Sequence, residues 1–220
     1  MYMTFSEILK NEEINSYIRH GDLVLATLGY TEHSFFHAKK CADVAGYILS
    51  ELGYSEKEIE NAKIAGYIHD IGNAINRHDH AHTGAIMAMS ILKGLNFPID
   101  DIAVIVGAIG NHDEETGTAV SSVSAALILA DKSDVRRSRV RNTDFASFDK
   151  HDRVNYAVTA NSLVCDKKEK KITLSLEIDD GICSVMDYFE IFLDRMLMCR
   201  RAADFLKTTF SLIINGTRIV

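Results

Sequence analysis

Nine histidines are spread through 220 residues, and most of them fall into four clusters separated by helical stretches: His33/His37, His69-Asp70, His78/His80/His82 and His112-Asp113. Imidazole nitrogen and carboxylate oxygen together suit borderline divalent ions such as Mn, Fe, Co, Ni and Zn. A set of four histidines with two aspartates exceeds the needs of one ion, so two adjacent ions are the economical reading. In such a centre one carboxylate bridges the pair. The water or hydroxide between the ions has its pKa lowered toward neutrality, ready for in-line attack on phosphorus. A single histidine on a helix is more often structural than a ligand, so the weight rests on the adjacent pair. Tyr67-Ile68-His69-Asp70-Ile71-Gly72 puts two ionisable residues at the end of an apolar helix, where burial is costly without a compensating ion.

Those residues need rigid elements to position them. From residue 4 to about 140 the pattern is one of successive amphipathic helices with short connections and no strand-like alternation. Ser55-Glu56-Lys57-Glu58 is a capping box that opens the helix running into His69-Asp70, with Gly72 as its stop. Residues 83–93 form the next expected helix, ending at Gly94, and Pro98-Ile99-Asp100-Asp101 starts another that reaches Ile109-Gly110. Asn111-His112 then falls just past a helix end. Residues 121–134 form a very apolar helix central to the core, with Asp131 near its C-terminal end. Beyond Arg141 the character changes. Residues 170–178 alternate at period two, as a strand with one face buried does; residues 184–206 read as a helix, and residues 209–214 as a second strand closed by the turn dipeptide Asn215-Gly216. The expected organisation is a mainly α fold, with a helical metal-binding domain over 1–145 and a small α+β annex over 146–220.

Composition narrows the function. A 47% hydrophobic chain of this length can bury a real core, and one proline with 13 glycines favours helices over sandwiches or barrels. The four cysteines are scattered, lack any Cys-x-x-Cys pairing and read as reduced core residues. No apolar run approaches a membrane span, and the acidic N-terminal residues do not match a signal peptide, so a cytoplasmic protein without membrane contact is expected. The net charge of −7 gives no general attraction to polyanions. The one basic run holds Lys132, Arg136, Arg137, Arg139 and Arg141 and has no interleaved aromatics, so nucleic acid is not an expected partner. That run lies beside Asp131, and Lys132 and Arg136 are the preferred contacts for a substrate phosphate; intramolecular pairing with acidic residues is the equal alternative.

The chain resembles the HD-domain metal-dependent phosphohydrolases over residues of about 30 to 140. His37-Ala38-Lys39-Lys40-Cys41-Ala42-Asp43-Val44-Ala45 looks like that family's first histidine and the helix after it, His69-Asp70-Ile71-Gly72 like its doublet, and Ile128-Leu129-Ala130-Asp131-Lys132 like its terminal aspartate. His80-Ala81-His82-Thr83-Gly84 and Asn111-His112-Asp113-Glu114 resemble the extra ligands of the binuclear branch, which includes the HD-GYP phosphodiesterases. The resemblance implies an HD-domain helical bundle in which His37, His69, Asp70 and Asp131 hold one ion and Asp70 bridges to a second held by His80 and His112. His33 competes with His37 for its place, and His78 and His82 flank His80, with binding of a substrate phosphate or plain exposure to solvent as their alternatives. Asp70 and Asp113 carry the catalytic expectations, Asp70 by holding both ions and Asp113 as a proton relay or as a partner orienting a ligand. Asn73 stands where the HD-GYP enzymes have lysine, and Glu115-Thr116-Gly117 lacks the Gly-Tyr-Pro element, so a cyclic dinucleotide is not the expected substrate.

The implied activity is hydrolysis of a phosphomonoester or phosphodiester, a nucleotide by preference, through a metal-activated hydroxide at a two-ion site, with Mn, Fe, Co or Ni favoured over Mg. A small phosphorylated substrate is the expected partner, and homodimerisation stays open. The alternatives are a di-iron oxygenase on the same fold and a nucleotide-sensing or scaffold protein without turnover.

Overall fold

The computed structural model describes residues 4–220. Its N-terminal part is a helical assembly: α1 Phe5–Ile8, α2 Glu12–Thr27, α3 Phe35–Leu52, α4 Glu56–Ile68, α5 His80–Gly94, α6 Ile99–Gly110 and α7 Ser122–Lys132. The helix starts follow local chemistry. Asn11, Ser34 and Ser121 each accept a hydrogen bond from a first-turn amide, and Ser55 forms a reciprocal capping box with Glu58. Helix α7 is buried on every face, packed among α3, α4, α6 and the later helix Val185–Phe205. It is the axle of the assembly.

The C-terminal part is α8 Lys150–Ala157, strands β1 Val158–Asp166 and β2 Lys171–Ile178, the long helix α9 Val185–Phe205, and strands β3 Thr209–Ile214 and β4 Thr217–Arg218. The sheet order is β1-β2-β3-β4. β1 and β2 pair antiparallel, while β2 and β3 pair parallel across the α9 connection. Strand β2 buries alternate residues, as its period-two pattern requires. The fold is thus mainly α with a small C-terminal sheet. All four cysteines are buried and free. No helix among the described residues is long and apolar enough to cross a membrane.

Two differences from expectation have plain causes. Strand β1 was not legible because it lies at the sheet edge with most of its residues at least partly exposed, which blurs its alternation. Helix α5 starts at His80 rather than at residue 83. Asp79 adopts a left-handed φ of 56° immediately before it, turning the chain sharply out of the short 3-10 turn Ile71–Ala74.

Close packing brings these elements together. A Cβ on Gly66 would sit 2.7 Å from the Ala42 backbone, where α4 crosses α3, and one on Gly72 would sit 2.1 Å from the His80 carbonyl oxygen. Gly66→Ala therefore overpacks a backbone contact and should cost about 1–3 kcal/mol, lowering Tm by roughly 3–10 °C. Gly107→Ala, whose Cβ meets nothing within 4 Å inside α6, should instead raise Tm slightly, by the ~0.5–1 kcal/mol that glycine costs a helix. Thermal denaturation of the two variants beside the parent protein checks the opposite signs.

Candidate metal centre

Six side chains converge from five places in the helical assembly. His37 comes from the first turn of α3, His69 and Asp70 from just beyond α4, His80 from the start of α5, His112 from just beyond α6, and Asp131 from the last turn of α7. All four histidines are buried, and the Asp70 and Asp131 side chains keep only 14% and 13% of their exposure.

The protonation of the ring nitrogens can be read from their partners. Nδ1 of His69 donates to the Gly66 carbonyl (2.9 Å), that of His80 to Arg77 (3.1 Å) and that of His112 to Ile109 (2.6 Å). His37 Nδ1 donates to the Asp134 carboxylate at 2.7 Å. Carbonyl and carboxylate oxygens only accept, so each neutral ring carries its proton on Nδ1 and turns a bare Nε2 lone pair inward. For His69 and His112 the accepting carbonyls belong to the last turn of the preceding helix.

The inward atoms divide between the two oxygens of Asp70. Oδ2 lies 3.6 Å from His37 Nε2 and 3.2 Å from His69 Nε2, and these nitrogens lie 3.4 and 3.8 Å from Asp131 Oδ1. Oδ1 lies 3.5 Å from His80 Nε2 and 3.8 Å from His112 Nε2, which are 3.2 Å apart from each other. Burial pushes the Asp70 carboxyl upward, but the His69 and His112 imidazoles outweigh it and hold the group well below the usual carboxylate range. Asp131 is likewise held low against its burial, by Lys132 first and then by His37 and His69. Burial lowers His80 to about 4, against the pull of Asp70, whereas His69 is raised despite its burial because Asp70 and Asp131 face it.

This donor set fits divalent metal. His69 Nε2 is buried with no hydrogen-bond partner, and the His80 and His112 lone pairs confront one another. Donors around an ion at bond lengths of about 2.1 Å stand roughly 3.0–3.4 Å apart, close to the spacings here. Groups that could hold an ion include His37, Cys41, His69 and Asp131, and His69, Asp70 and His112. Cys41 packs its sulfur 3.6 Å from His37 Nε2, and burial keeps its thiol well above the usual range, so it stays protonated.

The contested positions separate clearly. His33 gives Nδ1 to the Thr31 carbonyl, stacks edge-on to His37 and shares a small cavity with His37 and Asp70, without pairing with Asp70 or Asp131 among the described ion pairs. His78 and His82 face solvent beside Asp79. Asp113 lies next to His80 along a cleft of about 480 Å³, and its carboxyl is held low by His80 and Lys132 against burial. Lys132 is buried, with Nζ 2.8 Å from Asp131 Oδ2 and 3.4 Å from Glu114. Arg136 is engaged by Glu32 and Asp134 and lies over the Phe36 ring at 4.4 Å, lining neither of the clefts that hold His33 and His80. Its neighbours are also paired internally: Arg139 with the Glu32 and Asp134 carbonyls, Arg141 with Asp22.

Sequence reasoning passed over several residues that surround the centre. Asp134 orients His37 and is itself held by Lys40, Arg136 and Arg139. Its only local signal is its place one turn beyond Asp131. Arg77 reaches to 3.4 Å from His80 Nε2, and Arg195 of α9 is paired with Glu114 at 2.6 Å.

Second-sphere carboxylates that fix a ligand imidazole typically change metal affinity by about 10–100-fold. Asp134→Asn should therefore weaken divalent-ion binding by that factor while the far-ultraviolet circular dichroism stays unchanged, as followed by calorimetric titration with Mn or Zn. Because Asp70 and Asp131 raise His69 above the usual imidazole range despite its burial, a proton on its Nε2 competes with metal, so affinity should rise as pH is increased through the imidazole range. Titrations in buffers of different ionisation enthalpy measure that proton.

A family model for the HD domain matches residues 34–190. An uncharacterised protein of Methanocaldococcus jannaschii is 26% identical over 162 residues, 63% of this chain and 62% of the archaeal one. Ribonuclease Y of Lawsonia intracellularis is 33% identical over 102 residues, 46% of this chain but 18% of the ribonuclease. The chain thus spans less than two thirds of the length of either relative. The crystal structure of a predicted HD superfamily hydrolase from an uncultured Thermotogales bacterium aligns with a TM-score of 0.46 at 24% identity, over 61% of this chain and 75% of that one. With the family match running over most of its length, the chain belongs to the HD domain family.

Proposed function

We propose that this protein is a metal-dependent phosphohydrolase with a two-ion centre, acting on a phosphomonoester or phosphodiester, a nucleotide by preference. The observation that carries the reading is the division of labour at Asp70, whose two oxygens each face a separate pair of inward lone pairs. His37, His69, Asp70 and Asp131 would hold one ion, and Asp70, His80 and His112 the other. Divalent ions held there supply Lewis acidity, lowering the pKa of water and neutralising charge that develops on phosphoryl oxygens.

The chain's own residues do the rest. Lys132 engages Asp131 Oδ2 and so leaves Oδ1 directed at His37 and His69. Asp113, beside His80 in the open cleft, is positioned to move a proton to or from a substrate oxygen. The phosphate-holding role expected of Lys132 and Arg136 passes more naturally to Arg77, which lines both clefts and approaches His80. Relatives named as ribonucleases support phosphoester chemistry.

Elemental analysis with turnover of bis-p-nitrophenyl phosphate and a nucleotide panel under Mn, Co, Ni, Fe and Mg tests the reading. About two ions per chain and metal-dependent phosphoester cleavage are expected. Asp70→Ala should lose metal and activity together, the latter by about a thousandfold, or ~4 kcal/mol of transition-state stabilisation. Stoichiometric iron with no cleavage of any phosphoester would overturn it.

A further inference from the structure

A second cleft, of about 420 Å³, lies between the segment that joins α2 to α3 and helices α8 and α9 of the C-terminal part. Its walls change character along their length. At one end are His33, whose ring lies 5.3 Å from that of His37, and Arg77, which is 3.4 Å from His80 Nε2, so this end adjoins the candidate metal centre. Arg139 and Arg195 line the same cleft. The three guanidiniums are already anchored, Arg77 on Asn73, Arg139 on two backbone carbonyls and Arg195 on Glu114. Ordered guanidiniums beside a metal centre favour an anion and lose little freedom in binding it.

The walls supplied by α8 are acceptors instead. Asp149 is committed as the cap of α8, accepting from the Asp152 amide at 2.7 Å. Asn155 donates its amide to the His151 carbonyl, which leaves its carbonyl oxygen available. Asp152 is only 8% exposed, and its carboxylate forms no ion pair among the described residues. Burial and the neighbouring Asp149 raise its pKa, with the Asn142 side chain giving partial relief. A carboxylate in such a place gains from donors that a ligand brings. A second phosphate would be repelled there, and the three guanidiniums of the same cleft disfavour a bare cation. What fits is a molecule that is anionic at one end and rich in hydroxyl donors at the other.

We propose that this cleft seats the alcohol portion of the substrate, and that Asp152 recognises a vicinal diol there, so that the protein selects phosphate esters of ribose-like polyols. The proposal rests on the phosphohydrolase reading for the identity of the anionic end. Two adjacent hydroxyls present two donors to the two oxygens of one carboxylate, and a sugar lacking one of them forfeits a hydrogen bond to a charged acceptor. Asp152 acts here as a specificity-determining residue. It lies on α8, outside the helices that carry the six converging side chains.

The test uses the full chain loaded with Mn and measures binding of adenosine 5′-monophosphate, its 2′-deoxy counterpart and phosphoethanolamine by calorimetry. The ribonucleotide should bind about tenfold more tightly than the deoxynucleotide, as expected for one charge-assisted hydrogen bond. Asp152→Asn and Asp152→Ala should bring that ratio toward unity, with Tm and metal stoichiometry measured alongside to verify that each variant is folded and loaded. Equal binding of the two nucleotides by the parent protein overturns the proposal. So does a ratio unchanged in the folded variants, or tighter binding of phosphoethanolamine than of the ribonucleotide. Phosphoester cleavage is assayed separately on bis-p-nitrophenyl phosphate, which has no diol. A ribonucleotide preference that depends on Asp152, found without any such cleavage, sustains the diol seat and removes the phosphohydrolase reading.

Discussion

Four imidazole lone pairs and two carboxylates point at one another in a space almost closed to water, and the rest of the structure follows from holding them there. Left to themselves these rings would turn away from one another, because like-signed electron density in a low-dielectric interior repels strongly. What prevents it is the far side of each ring. Each Nδ1 proton is fixed by an acceptor on rigid backbone or on Asp134, so rotation of the ring would break a buried hydrogen bond. The centre is therefore preorganised by acceptors behind it as well as by the attraction of Asp70 and Asp131 for His69 within it.

Bringing those rings so close requires helices to approach with little between them. Gly66 lets α4 lie against the backbone of α3, and Gly72 lets the turn after Asp70 press against the first residue of α5. The turn after the His-Asp pair and the histidine of the second cluster thus share one contact, which sets the distance between the two halves of the donor set. Asp131 arrives from α7, whose buried surroundings leave it little freedom to shift. Lys132 then engages the outer Asp131 oxygen and ties it through Glu114 to Arg195 on α9. A residue of the C-terminal part is thereby joined to the centre through three consecutive ion pairs.

Much of this was legible locally. The capping box at Ser55, the apolar run ending in His69-Asp70 and the helix ending before Asn111-His112 are all short-range patterns, and the helices formed close to where those patterns placed them. The α+β character after residue 146 was legible from β2 and β3 for the same reason. Three things depended on long-range packing and were not. The choice among His78, His80 and His82 turned on the left-handed Asp79, which starts α5 early and directs only His80 inward. The basic run after Asp131 reads locally as a phosphate handle, but Glu32 and Asp22, more than a hundred residues earlier, take up Arg136 and Arg141. Asp134 and Arg195 matter through His37 and Glu114, partners that no spacing rule brings near them.

The position of α9 also bears on how the molecule is made. Helix α7 must be enclosed on all sides, yet one of its walls is α9, which the ribosome delivers more than fifty residues later. During synthesis at about 5–20 residues per second, this buried helix therefore waits several seconds with a bare flank. The parallel pairing of β2 with β3 lengthens the wait, since that strand pair cannot close until α9 has emerged and folded back. A nascent chain stalled between residues 145 and 185 would present that flank to chaperones, so the last third of the sequence completes the core as well as the cleft.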